Sequence, residues 1–453
     1  MKKFLTGIRK NYFDNTVALS KLSKTFLLWA FSLALVYITN VYLTKLIGLD
    51  LYGKYTVFIS WVSLASMLLT FGWDGYLVQK IPQLLGNEES KSTGKYLLQR
   101  AVFTFLGLFI LLSVLLILAE YRGKIFSGFF KPGQLSLFLA LVFLFSALAL
   151  TKSFLRIFHI VTQVQWFEEV LKPLVLFGVI LYFFYWNDSG LSLTGLYTIN
   201  SLIFAALALV LAVLAWRVYK KNFTAGARNL VEEKWAKKCF YFMCIYLGYS
   251  IFSRMELLFL GYFEKNGEAA KFQILLRISD IVLIPDFLFN YFLPQKFSHA
   301  FAQGRSGDAR ELFRNSSKTI LMLQLLCLAG VLGIGYFYLQ SFNIASAEMY
   351  LLLGIMCTAP VFYSLFGSAN LVLKTSGNER YSFYALLIVL LAEAAVNSMF
   401  IVQYGLKAAV VISWTSILIY TFLLSFFVHR KLNFYTAVTG VLFSGKAIQQ
   451  HNK

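Results

Sequence analysis

Charge is scarce in this sequence. Only 14% of its 453 residues are Asp, Glu, Lys or Arg, where a soluble chain carries roughly 25%. Three soluble domains of about 150 residues each could not cover their surfaces with so few charges. The same numbers exclude a disordered chain. Four cysteines (Cys239, Cys244, Cys327, Cys357) without a CxxC spacing exclude a disulfide scaffold and a zinc cluster. Four scattered histidines (His159, His299, His429, His451) supply no metal spacing either, so neither metal nor cofactor is expected. Acidic residues are scarcest of all, 21 against 41 basic ones, for a net charge of +20. What is abundant is apolar surface: 59% hydrophobic and 18% aromatic residues. That composition is a polytopic membrane protein.

A bilayer core needs roughly 20 apolar residues per helix. Twelve runs qualify, at about 25–45, 55–73, 101–119, 135–155, 165–186, 191–216, 239–263, 271–293, 319–339, 348–373, 381–403 and 406–428. Barrel strands would alternate polar and apolar residues, and residues 102–118 do not. The fold class is therefore all-α, about twelve transmembrane helices. The stretch before the first run is basic, contains Asp14 and lacks a small-residue cleavage site. It reads as a cytoplasmic lead rather than a signal peptide.

Placing the loops alternately on two sides sorts the positive charge. Thirty Lys and Arg fall on the side of both tails, eight on the other, and Lys172, Arg254 and Arg277 lie inside spans. The positive-inside rule puts both tails in the cytoplasm. Most of the +20 is orientation and attraction to anionic lipid, which leaves no case for nucleic acid. The basic stretch 217–238 divides the chain into a lead (1–24), a six-helix lobe (25–216), a linker (217–238), a second six-helix lobe (239–428) and a tail (429–453). Lys54-Tyr55 and Gln79-Lys80 recur as Lys271-Phe272 and Gln295-Lys296, a faint parallel repeat.

The external loops are too short for the catalytic groups that membrane glycosyltransferases and polymerases carry there. The longest, 120–134, has Glu120 as its only acid. Gly440 to Ala447 resembles a P-loop, but Ala447 stands where Mg²⁺ needs Ser or Thr, and no strand precedes it. Transport would have to run on a gradient or the membrane potential.

Ionisable residues inside spans cost at least about 2.5 kcal/mol each on insertion scales, so they face a cavity or a partner. Span seven carries Arg254 and Glu256; span eight carries Gln273, Arg277 and Asp280 as one stripe, with Asp286 after a kinking Pro285. Span two has Ser60, Ser63 and Asp74 among its polar residues. Span one has Asn40 near its outer end and Lys21 and Lys24 at its cytoplasmic mouth. Span eleven has Glu393 and Asn397. Read functionally, spans one, two, seven and eight line a polar, partly cationic cavity between the halves. Arg254, Arg277, Lys21, Lys24, Ser60, Ser63 and Asn40 bind substrate there, the arginines as bidentate phosphate donors. Glu256, Asp280, Asp74 and Glu393 are the ion-coupling or gating candidates. Read structurally, Arg277 pairs with Asp280 one turn away, Glu168 pairs with Lys172, and the span-two hydroxyls pack helices.

Three stretches carry a family resemblance: Leu46-Ile-Gly-Leu-Asp-Leu-Tyr-Gly-Lys-Tyr55, Phe71-Gly-Trp-Asp-Gly-Tyr-Leu-Val-Gln-Lys80, and Arg254 to Gly261 continued by Gly267 to Phe272 and Arg277 to Asp280. With the twelve-span layout they resemble the Wzx-type O-antigen flippases of the multidrug/oligosaccharidyl-lipid/polysaccharide (MOP) superfamily. The resemblance implies two six-helix lobes around a central cavity and alternating access. It implies an undecaprenyl-pyrophosphate-linked oligosaccharide carried to the outer leaflet of a bacterial cytoplasmic membrane. Membrane lipid and polysaccharide assembly proteins are the implied partners. Arg254 and Arg277 match the family's cation-lined cavity, while Glu256 stands roughly where the family commonly has Asp. The alternatives are a drug exporter of the same superfamily and an integral membrane enzyme.

Overall fold

The computed structural model describes residues 16–84, 88–121, 134–158, 160, 164, 166–186, 191–223, 235–302 and 306–432. The Gly440–Ala447 motif, the side chains of Lys21 and Lys24, most of the 120–134 loop and about half of the 217–238 linker lie outside the described residues. Among the described residues all regular structure is helical: a polytopic all-α membrane protein.

The helices are α1 (Thr16–Ile47), α2 (Leu49–Thr70), α3 (Trp73–Leu84), α4 (Glu88–Tyr121) and α5 (Gln134–Ile157). A π-helical turn (Trp166–Leu171) then leads into α6 (Lys172–Trp186), followed by α7 (Leu193–Asn222), α8 (Trp235–Phe252), α9 (Met255–Tyr262) and α10 (Asn266–Ser279). The chain continues through α11 (Ile284–Ala302), α12 (Ser306–Ser341), α13 (Ala347–Leu365), α14 (Ala369–Thr375) and α15 (Glu379–Leu432). Every one of the twelve expected runs falls on helix. Among the described residues six helices are long and apolar enough to cross a membrane, or eight if two bent pairs each count as one span. Part of the shortfall from twelve comes from spans that are broken or merged; span one counts only as the shorter apolar helix Phe31–Ile47, and α6 is 15 residues long. Span eight is split into α10 and α11, and α15 carries spans eleven and twelve through a break at Gly405, where φ is 52° and ψ is −126°.

The breaks are the main departures from the sequence reading. Span two bends by 45° between α2 and α3, through Phe71 and Gly72 at positive φ. Span seven bends by 63° between α8 and α9. In span eight the kink expected at Pro285 lies upstream, at 280–283, where successive i→i−3 bonds tighten the chain into a turn. The physical reason is that a proline ring clashes with the carbonyl four residues earlier, while proline itself fits the first turn of a new helix. Pro285 accordingly sits second in α11.

The chain forms two compact units. One comprises Met1–Gly48 and Val62–Tyr246; the other comprises Leu49–Trp61 and Leu247–Lys453. In the first, Trp73, Tyr76, Leu77 and Ile81 of α3 pack with Leu148, Phe154 and Leu155 of α5 and Leu207 and Leu211 of α7. The Trp73 ring stacks on Trp235, centroids 5.0 Å apart. Glu168 and Glu169 both lie on the π-helical turn. Glu168 takes an ion pair from Lys152 Nζ at 2.7 Å, and Glu169 accepts from Ser32 Oγ at 3.0 Å. Lys172, the partner expected for Glu168, instead lies over the Phe204 ring and acts on Glu168 only as a more distant charge. The i, i+4 rule belongs to the α-helix; the wider π turn rotates the two side chains out of register.

In the second unit α9 packs against α10 and α15, α13 against α12 and α15, and α14 against α15. Helices α2 and α10 begin 217 residues apart (49 and 266), the spacing of the repeated Lys-aromatic pair. Long apolar faces on α4 and α7, including Phe103, Ile110, Leu111, Leu115, Leu202 and Leu209, are exposed. In water such faces would be a liability; in a bilayer they are the lipid contact.

Candidate functional site: a broken span beside a buried carboxyl pair

The α8–α9 break falls at Ser253 and Arg254. Arg254 leaves helical geometry, with φ −137° and ψ 4°, and α9 restarts at Met255. Glu256 therefore sits in the first turn of a half-helix, where the positive end of the helix dipole favours a carboxylate. It is 1% exposed. Sequence spacing alone sets Arg254 and Glu256 on different faces; the break separates them further, and Arg254 stays half-exposed.

The partner of Glu256 is Glu393 of α15, which is 3% exposed. The two carboxyl groups lie within hydrogen-bonding reach of each other, and Ser416 is a polar neighbour of Glu393. A hydrogen bond between two carboxyl groups requires a proton on one of them. Two adjacent carboxylates in an apolar interior do not both ionise. Among the described residues, Glu256 Oε1, Glu393 Oε2 and both polar atoms of Asn397 have no hydrogen-bond partner. Asn397 is fully buried one turn beyond Glu393. Such a group of buried acceptors can take up and release a proton. Among the described residues no set of three or more His, Cys, Asp or Glu could hold a metal ion.

Arg254 also lies within electrostatic reach of Arg277 and Asp280. Arg277 is in the last turn of α10, where the dipole favours a cation. Asp280 follows in the turn before α11, and Gln273 of the same stripe is buried. Neither arginine forms a hydrogen bond or ion pair within 4.0 Å among the described residues, so the simple Arg277–Asp280 pair does not form. Two guanidinium groups with free forks face one region of one unit.

The other candidates lie on α1, α2 and α3. Ser60 is buried and donates to the Thr56 carbonyl at 2.8 Å. The Ser63 carbonyl accepts from Ser66 Oγ, and the Asn40 carbonyl accepts from Thr44 Oγ1. Asp74 starts α3 in the first unit, with Oδ1 buried and unpartnered. Lys21 and Lys24 are on α1. Ser416 was not among the sequence candidates. Its signal is the polar run Ser413-Trp414-Thr415-Ser416 inside an apolar span.

The comparisons with known proteins bear on this fold. A search of curated proteins returns no match. An inward-facing MATE multidrug resistance transporter of the MOP superfamily is 12% identical, with 93% of this chain and 96% of that chain covered and a TM-score of 0.66. The lipid II flippase MurJ, in an inward closed conformation, is 13% identical over 92% of this chain and 89% of that one, with a TM-score of 0.63. A MOP superfamily transporter from Pyrococcus furiosus, described as having a binding pocket of reversed polarity, is 13% identical over 95% and 97%, with a TM-score of 0.60. At these identities the likeness is one of fold. The model of the polysaccharide biosynthesis protein family matches residues 22–293. Because that match covers more than half of the 453 residues, the chain belongs to the polysaccharide biosynthesis protein family.

Proposed function

We propose that the protein is a flippase that carries an undecaprenyl-pyrophosphate-linked oligosaccharide from the cytoplasmic to the outer leaflet of a bacterial cytoplasmic membrane by alternating access. Both termini are cytoplasmic, and the protein has no catalytic role of its own. The observation that carries the reading is the pair of unpartnered guanidinium groups, Arg254 and Arg277, within electrostatic reach of each other in a family of polysaccharide biosynthesis proteins. Their planar forks suit the pyrophosphate. The Glu256–Glu393 pair is the coupling site and the proton is its ion. Arg254 lies in one helix break and Glu256 in the first turn after it, so anion binding and proton binding act on the same hinge. Each then changes the affinity for the other by the same factor.

A hydrogen bond to a charged group contributes about 1.5–3 kcal/mol, so losing one weakens the anchor by roughly ten- to hundredfold. Cells complemented with Arg254→Ala at normal protein levels should lose most surface glycan, and Arg254→Lys should retain part of it. Full export by an Arg254→Ala/Arg277→Ala variant would remove the anchoring role. The competing reading, a small-molecule exporter, is favoured by the likeness to multidrug transporters. Two cationic anchors disfavour cationic drugs, and drug-resistance assays on the same strains separate the two readings.

A further inference from the structure

The carboxyl pair is buried, so a proton needs a route to it. Asn370, Tyr249 and Ser382, from three helices, close a ring of polar contacts, and Tyr420 joins it at Tyr249, one turn from Ser416. Asn370 Nδ2 of α14 donates to Tyr249 OH of α8 at 2.7 Å. Tyr249 OH meets Tyr420 OH of α15 at 2.5 Å. Ser382 Oγ of α15 donates to Asn370 Oδ1 at 2.5 Å and lies 3.4 Å from Tyr249 OH. Ser382 is also a polar neighbour of Tyr420. Asn370 fixes the direction of the ring, since its amide NH₂ can only donate and its Oδ1 only accept. Tyr249 is half-exposed and Tyr420 is 3% exposed, so the two phenols step from the surface inward. The groups around them are Tyr363 of α13, a polar neighbour of Asn370; Asp286 of α11, which acts on Tyr363; and Lys374, whose Nζ lies 4.7 Å over the Tyr249 ring. The loop after Lys374 belongs to the cytoplasmic side by the charge count.

Tyr420 and Ser416 are i and i+4 on α15, so their Cβ atoms stand about 6 Å apart on one face. Ser416 is in turn a polar neighbour of Glu393. We propose that Tyr249 and Tyr420 are a proton relay between the cytoplasmic side and the Glu256–Glu393 pair, with Ser416 as its last step. The relay rests on the coupling role proposed above and adds its route. Tyr249 takes a proton from solvent and passes its own to Tyr420. Tyr420 turns its O–H from Ser382 towards Ser416 and hands its proton on through one bridging water. Ser416 delivers a proton to Glu393 Oε. Only O–H bonds break and form, and each hydroxyl ends as it began. Asn370 and Ser382 position the phenols and carry no proton to the pair.

The test is infrared spectroscopy of the full-length protein in D₂O, reading the protonated-carboxyl band, which Glu393→Gln identifies by removing it. Tyr420→Phe and Tyr249→Phe keep ring shape, and an unchanged amide band confirms the fold of each. Deuteration of the band should slow by about a hundredfold in both, the low side of what a positioned proton carrier contributes. Ser382→Ala should exchange at nearly the wild-type rate. If both phenylalanine variants exchange at the wild-type rate, or Ser382→Ala slows as much as they do, the relay is overturned. If the wild type shows no protonated-carboxyl band, the coupling reading falls and the relay with it. If Tyr420→Phe does not fold, Tyr249→Phe alone decides.

Discussion

Replacing Gly405 by Ala should be among the most damaging single changes in the second unit. Gly405 breaks α15 with φ 52° and ψ −126°, a mirror-β conformation that costs an L-residue about 1–3 kcal/mol. A Cβ there would also overlap the Glu268 carboxylate. That carboxylate accepts the Leu406 N–H at 2.6 Å, satisfying an orphan donor at the start of the last span. Displacing Glu268 forfeits a hydrogen bond to a charged group, about 1.5–3 kcal/mol. Together the loss is about 3–5 kcal/mol. The assay is apparent melting temperature in detergent at one fixed scan rate. Gly405→Ala should melt several degrees lower. Glu268→Ala removes only the bond and should cost less. The double variant should melt well above the temperature expected from adding the two single losses, because the lost bond is then counted once and the clash disappears with the carboxylate. Strict additivity, or a Gly405→Ala protein as stable as the wild type, would refute the reasoning.

Other expectations follow from close contacts. Gly53→Ala should destabilise strongly, because a Cβ would overlap the Asn266 carbonyl; Gly107→Ala, with open space around it, should be neutral in the same melting assay. Trp73→Ala empties the centre of the first unit's core and should cost about 3–5 kcal/mol, read as lost folded yield. Lys152→Ala leaves Glu168 half-buried and unpaired, a loss of about 1–2 kcal/mol between the surface and buried limits. The exchanged pair Lys152→Glu/Glu168→Lys should recover part of that stability, and a double variant no better than the singles would contradict the pairing.

Much of this architecture is legible in hydropathy, because a bilayer demands long apolar runs and helical backbone. The breaks are less legible. Span seven breaks at Ser253–Arg254, which contains neither Gly nor Pro to announce it. Arg254, Arg277, Glu256 and Glu393 stand out singly as costly residues in spans. Their grouping does not, since Glu256 and Glu393 lie on helices distant in sequence and only the fold joins them. Glu168 shows the opposite case: local spacing suggests Lys172, and a π-helical turn gives it Lys152. The hydroxyls of Ser60 and Thr56 look available in sequence, but carbonyls of their own helix take them.

Transport of a lipid-linked oligosaccharide can be read by mass spectrometry of membrane lipids after deletion of the gene, with wild-type and Arg254→Ala/Arg277→Ala complementation. Undecaprenyl-pyrophosphate-linked oligosaccharide should accumulate in the deletion strain and be cleared by the wild type and not by the double variant. A deletion strain with no accumulated lipid-linked oligosaccharide, or full clearance by the double variant, would contradict it.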